Sequence, residues 1–125
     1  PNHPDVATDL NNLAELYRTQ GQYAQAEPLY THSLTIREKA LGPEHPDVAV
    51  SLNNLAELYR TQGQYAQAEP LYTHSLAIKE KVLGPEHPAV ATSLESMAEI
   101  FRKTGQEKEA GALEKRAAAI RAIKR

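Results

Sequence analysis

The chain holds 125 residues, with fourteen basic against sixteen acidic side chains, no cysteine and no tryptophan. Zero cysteine removes disulfides, thiolate zinc sites, iron–sulfur clusters and cysteine nucleophiles together, and makes the cytoplasm the expected compartment. A net charge of −2 provides no global field to gather nucleic acid or anionic lipid, and no apolar run is long enough for a transmembrane helix.

The first residues, Pro1-Asn2-His3-Pro4, carry neither a basic stretch nor an apolar one, so no signal peptide is expected there. A helix is predicted from about Pro4 to Thr19. Proline at the first helical position gives up a donor that has no partner within the helix anyway, and Asp5 suits the positive end of the dipole. Val6, Leu10, Leu13, Ala14 and Tyr17 form one helical stripe. Gly21 stops the helix, as a residue tolerant of positive φ does. A second helix is predicted from about Gln22 to Leu41, with a broader stripe of Tyr23, Ala26, Leu29, Tyr30, Leu34, Ile36, Ala40 and Leu41. Pro28 falls near its start and predicts a slight bend without a break. Gly42-Pro43 ends it.

The same pattern then begins again. Residues 1–42 and 43–84 differ only at Asn2/Glu44, Thr8/Val50, Asp9/Ser51, Thr35/Ala77, Arg37/Lys79 and Ala40/Val82, which leaves 36 identities in 42. Residues 85–125 form a third, 41-residue copy that keeps Pro85-Glu86-His87-Pro88, Gly105 and Ala110. One helix pair cannot bury both stripes, whereas stacking the next pair on it can, so the expected fold is an all-α solenoid of three antiparallel helix pairs. The expected organisation is one repeat domain over 1–125, divided into 1–42, 43–84 and 85–125.

Eight recurring positions carry a resemblance to the tetratricopeptide repeat. They read Leu10, Leu13, Ala14, Tyr17, Gly21, Ala26, Tyr30 and Ser33, and then Leu52, Leu55, Ala56, Tyr59, Gly63, Ala68, Tyr72 and Ser75. The third set is looser: Leu94, Met97, Ala98, Phe101, Gly105, Ala110, Glu114 and Ala117. The period of 42 exceeds the usual 34 of that family. It is similar to the variety found in kinesin light chains and many bacterial arrays, with their LNNLAELY, AEPLY and LGPEHPDVA segments. The resemblance implies a right-handed superhelical stack whose first helices line a concave, ligand-facing surface. The near-identity of two copies fits recent duplication and fits a consensus-derived sequence equally.

The third copy reads as a C-terminal cap, because Tyr65, Tyr72 and Leu76 give way to Glu107, Glu114 and Ala118. The first copy has full internal character. Its leading face, with Val6, Leu10, Leu13 and Leu41, is therefore expected to lack a neighbour and to favour self-association. Together with the absent initiator Met, this fits a fragment from the C-terminal end of an array. Charge also marks the end: the copies carry −2, −2 and +2, and Lys115, Arg116, Arg121, Lys124 and Arg125 crowd the last eleven residues. Such a run is read as a solvated cap with cations at a helix C-terminus; contact with nucleic acid or lipid headgroups is the weaker reading.

No catalytic constellation appears. His3, His45 and His87 precede helix-starting prolines, and His32 and His74 lie on second helices, without convergent metal-ligand spacing. Phosphate loop, dinucleotide fingerprint and nucleophile elbow are all missing. No enzyme activity, cofactor, metal or small-molecule substrate is therefore expected.

What remains is a polar stripe on the first helices. It runs Thr8, Asn11, Asn12, Glu15, Arg18 and Thr19 in the first copy and Val50, Asn53, Asn54, Glu57, Arg60 and Thr61 in the second. The third presents Thr92, Glu95, Ser96, Glu99, Arg102 and Lys103. An asparagine amide donates and accepts together, so it suits the backbone of an extended peptide whatever its side chains. The glutamates and arginines suit charged side chains. Two alternatives stay open at this point. The asparagines can bond neighbouring helices instead, and Glu15 with Arg18 is an ordinary i,i+3 pair. The chain is then a scaffold or spacer with no peptide site. A groove that grips a C-terminal carboxylate is disfavoured, since Lys103 is the one lysine in the stripe.

Overall fold

The computed structural model describes residues 3–123, and these form six helices: α1 (Pro4–Thr19), α2 (Tyr23–Leu41), α3 (Pro46–Thr61), α4 (Tyr65–Leu83), α5 (Pro88–Lys103) and α6 (Glu107–Ala122). The chain is an all-α solenoid of helix pairs. Each helix packs on its chain neighbours, most heavily within the pairs α1–α2, α3–α4 and α5–α6 and more lightly from α2 to α3 and from α4 to α5.

Every first helix starts in the same way. His3, His45 and His87 have extended backbones, and each Nδ1 accepts a 3.0 Å hydrogen bond from the backbone N–H two residues on, at Asp5, Asp47 and Ala89. A histidine can accept there only through an unprotonated nitrogen, so imidazole takes the place usually held by Ser, Thr, Asn or Asp. The next residue is proline, which has no donor to lose. The sequence pattern placed these histidines just before helix-starting prolines; it did not show their capping role.

Each first helix also stops in the same way. Gly21 takes φ +76°, its N–H donates to the Arg18 carbonyl at 3.0 Å, and the Gln22 N–H donates to the Tyr17 carbonyl at 2.8 Å. These two bonds satisfy the last free carbonyls of α1 in a Schellman turn, and glycine reaches that φ without the clash of a Cβ. Gln22 thus caps α2, which begins at Tyr23, one residue later than the pattern indicated. The helix runs through Pro28 without a break, because the proline sits close enough to the start to forfeit little.

Small residues let the helices approach. Ala7, Ala14 and Ala26 are fully buried, and the buried Ser33 Oγ donates to the Ala7 carbonyl at 2.7 Å. Ser75 repeats that bond to Ala49 at 3.0 Å. Around these lie Tyr30, Leu55 and Leu58 in one cluster and Tyr72, Leu76, Val90, Leu94 and Ile100 in another. Arg37 is buried as well, its Nη1 donating to Ser51 Oγ on α3 at 2.8 Å.

The near-identical copies act as their own control. Leu55 and Leu58 are 5% and 0% exposed because α2 covers them, while their counterparts Leu13 and Leu16 are 41% and 54% exposed. Val6 and Leu10 are half-buried, whereas Val48 and Leu52 are buried. The open leading face therefore contains Val6, Leu10 and Leu13 as expected, and adds Leu16. Leu41 is removed from it, because Leu41 is half-buried and its internal counterpart Leu83 is the more exposed of the two. At the other end, Glu107, Glu114 and Ala118 are exposed where Tyr72 and Leu76 are buried.

Two substitutions of the same residue type separate packing from sequence. Leu55→Ala is expected to cost about 2–4 kcal/mol, as cavity-forming core truncations do. Leu13→Ala is expected to stay within about 1 kcal/mol, as exposed changes do. Denaturant unfolding of both variants checks the difference.

Candidate functional site

The polar stripe lies on α1, α3 and α5, and the three helices meet along it through side chains. Asn54 Nδ2 donates to Asn11 Oδ1 at 3.2 Å, joining α3 to α1. Arg60 Nη1 donates to Glu99 Oε1 at 2.8 Å, joining α3 to α5. Asn11, Asn53, Asn54 and Ser96 are half-buried and Asn12 is exposed. Asn12 and Asn53 make no side-chain hydrogen bond among the described residues, so their amides remain available. Asn11 and Asn54 each spend one bond on the other and keep further capacity, since an amide offers two donors and an acceptor.

The charged members are occupied. Glu15 accepts from Arg18 on its own helix and from the Tyr30 hydroxyl on α2 at 2.9 Å. Glu57 repeats this with Arg60 and Tyr72. Burial is the main cause that pushes Tyr30 up to about 12; the Arg18 guanidinium opposes it and the Glu15 carboxylate adds to it. Tyr72 is raised further, by burial first and by Glu57 next. Both phenols thus remain hydrogen-bond donors throughout the neutral range. Arg60 is raised in turn, chiefly by its hydrogen bond to Glu57.

The third pair inverts this arrangement. Glu114 stands in the tyrosine position and accepts from Arg102, which also donates to Glu107. Glu95 accepts from Arg121 Nε at 2.9 Å and Nη2 at 2.8 Å. Hence every arginine and glutamate of the predicted face has a partner within the chain. The basic end is similarly engaged: Arg116 pairs with Glu80 and Arg121 with Glu95, Lys115 is exposed, and Lys124 and Arg125 lie outside the described residues. Among the histidines on second helices, His32 is exposed and His74 Nε2 lies 3.5 Å from Glu44, which Lys81 also approaches. Among the described residues no three His, Asp or Glu side chains gather in a metal-binding group, and no helix is long and apolar enough to cross a membrane.

A stack of helical hairpins of constant period, with its polar groups in surface ladders, defines a helical-repeat solenoid. A family model described as the tetratricopeptide repeat matches residues 5–81 and again 47–122, and the chain belongs to that family. Its fold is similar to that of BtubC (BKLC) from P. vanneervenii, with a TM-score of 0.91 and 28% identity over 97% of this chain. It is also similar to the nearly identical TPR-like repeats of a kinesin-light-chain-type protein of Podosopora anserina, with a TM-score of 0.82 and 33% identity over 96% of this chain. The chain spans 48% and 57% of the lengths of those two. The TPR domain of Arabidopsis FLU shares the fold, with a TM-score of 0.81 at 14% identity, over 95% of this chain and 96% of its own. No curated protein matches the chain. The array is thus kinesin-light-chain-like, in a family whose members commonly serve as protein-interaction modules.

Acid tests the cap. Arg121 and Arg102 hold Glu95 and Glu114 below the ordinary 4.5 of a glutamate, the hydrogen bond from each arginine being the first cause. A carboxylate depressed in the folded state stabilises it above the unfolded value, and that contribution is lost as pH falls through the folded value. Between pH of about 5 and about 3, amide exchange in α6, corrected for intrinsic rates, is expected to accelerate ahead of that in α3.

Proposed function

We propose that the chain is a non-enzymatic interaction module that holds an extended peptide, or an extended segment of a partner protein, against the face lined by α1, α3 and α5. The observation that carries this reading is the row of amides: Asn12 and Asn53 are unpaired within the chain, and Asn11 and Asn54 have capacity to spare. Neighbouring helices stand about 8–10 Å apart and an extended chain rises about 3.3 Å per residue, so one helix matches about three ligand residues. Glu15, Arg18, Glu57, Arg60, Glu95, Ser96, Glu99 and Arg102 flank the row. Their ion pairs, with one another and with Glu107, Glu114 and Arg121, fix its walls, and a charged ligand side chain engages them by exchanging partners.

Replacing Asn53 by Ala tests the proposal, because that amide holds nothing in the fold. The probe is a decapeptide selected on the chain from a random phage library. Asn53→Ala is expected to weaken its binding about tenfold, the worth of a hydrogen bond, with an unchanged melting temperature. Unchanged binding rejects the amide row as the site.

A scaffold reading draws on a different observation, the closure of the charged ladder onto itself, which makes the face a strut between helices. A library that yields no peptide binder to the folded chain favours it.

The leading face of α1 supports a second kind of partner, another copy of this chain. Leu13, Leu16, Val6 and Leu10 form an apolar face, and the polar cap opposes head-to-tail stacking, so two leading faces meeting is the closed arrangement. Sedimentation over a hundredfold concentration range is expected to show a monomer–dimer equilibrium that Leu16→Glu abolishes. A strict monomer throughout rejects it.

A further inference from the structure

Three of the six differences between residues 1–42 and 43–84 fall at one edge of the helix pairs. Thr8, Arg37 and Ala40 stand on α1 and α2 where Val50, Lys79 and Val82 stand on α3 and α4. In the first pair, Arg37 Nη2 donates to Thr8 Oγ1 at 3.3 Å and closes the edge between the start of α1 and the end of α2. In the third pair, Arg121 Nη2 donates to Thr92 Oγ1 at 3.1 Å and closes the corresponding edge between α5 and α6.

The middle pair has no such latch. Val50 lacks a hydroxyl, and the single ammonium of Lys79 turns away to Ser93 Oγ at 2.9 Å. An open cavity of about 150 Å³ remains, walled by Pro46, Ala49, Val50, Ile78, Val82 and Leu83. The stem of Lys79 completes it. Val50, Val82 and Leu83 are each exposed to nearly half their area. The walls are carbon, so a charged or strongly polar occupant would lose hydration without gaining a partner. The volume equals that of an engineered apolar cavity that accepts benzene, which sets the size of the group it takes.

Val50 sets one wall of the cavity beside the amide row. Val50 precedes Asn53 and Asn54 by three and four residues, which puts all three side chains on one face of α3. Three residues of helix rise about 4.5 Å, within the reach of a large apolar side chain from a peptide backbone that crosses α3 at Asn53.

We infer that this cavity is a specificity pocket for one uncharged apolar side chain, of leucine to phenylalanine size, on a peptide whose backbone crosses α3 at Asn53. The inference deepens the peptide-binding reading and rests on it. The first and third pairs are closed at the corresponding edge by threonine and arginine, so the apolar requirement is assigned to the middle pair.

The test writes the residues of the first pair into the second: Val50→Thr, Lys79→Arg and Val82→Ala together, a set that already folds in α1 and α2. Decapeptides selected from a random phage library on the unaltered chain are expected to share one apolar position. Changing that residue to Asp is expected to weaken binding by about tenfold or more, given the worth of burying such a side chain. The triple variant, with unchanged circular dichroism, is expected to discriminate less than about twofold between the same two peptides. An apolar preference that persists in the variant overturns the pocket and leaves the peptide reading intact. So does a saturating peptide that leaves the Val50 and Val82 methyl resonances unmoved. A library that yields no binder to the folded chain overturns the peptide reading and the pocket together.

Discussion

No helix pair in this chain can cover its own apolar surface, and the rest of the structure follows from that constraint. α3 shows it most directly. Its inner side meets α4 across Ala56, Ala68 and Tyr72, while Leu55 and Leu58 are covered by α2 of the preceding pair. The sequence LNNLAELY is the same in α1, yet Leu13 and Leu16 there meet solvent. Burial is thus a property of position in the stack rather than of the residue. The glycine turns and histidine caps serve the same end, since they fix where each helix stops and starts and so which leucines face the neighbour.

The helices were legible because local chemistry marks them three times over. His-Pro at each start and Gly at each stop bracket a 3.6-residue pattern, and only the entry to α2 shifted, by one residue. Features that depend on a partner distant in sequence were less legible. Arg37 stands out in the sequence only as a difference between copies, yet it is buried and donates to Ser51, fourteen residues on. Leu16 falls outside the stripe that faces α2, and its role appears only once Leu58 is seen under the preceding pair. Leu41 departs from the expected face because it is half-buried without a preceding pair, while its counterpart Leu83 is the more exposed of the two.

The candidate face divides along the same line. Recurrence of Asn, Glu and Arg at fixed offsets placed these residues in one row, which the helices realise. The pattern shows the i,i+3 pairs of Glu15 with Arg18 and Glu57 with Arg60 but not the partners on other helices. Glu15 and Glu57 are taken by tyrosines fifteen residues away, Arg60 by a glutamate thirty-nine away and Glu95 by an arginine twenty-six away. Such pairings join different helices, so their partners lie outside any local window. The third copy makes the point from the other side. When the tyrosine becomes Glu114, the arginine of the stripe changes partner, and the ladder ends in an ion pair instead of a phenol–carboxylate bond.

Packing restricted to neighbours in the chain also governs how the molecule comes together. Its most extensive helix contacts join elements adjacent in sequence, so the loops closed to form them are short and their entropic cost is small. Such low contact order belongs to fast folding. Only α3 and α4 have helix pairs on both sides, so in this chain they form the natural nucleus, from which order spreads outward as in a one-dimensional lattice. The ends, which each lack one neighbour, are then the first segments to open and the last to close.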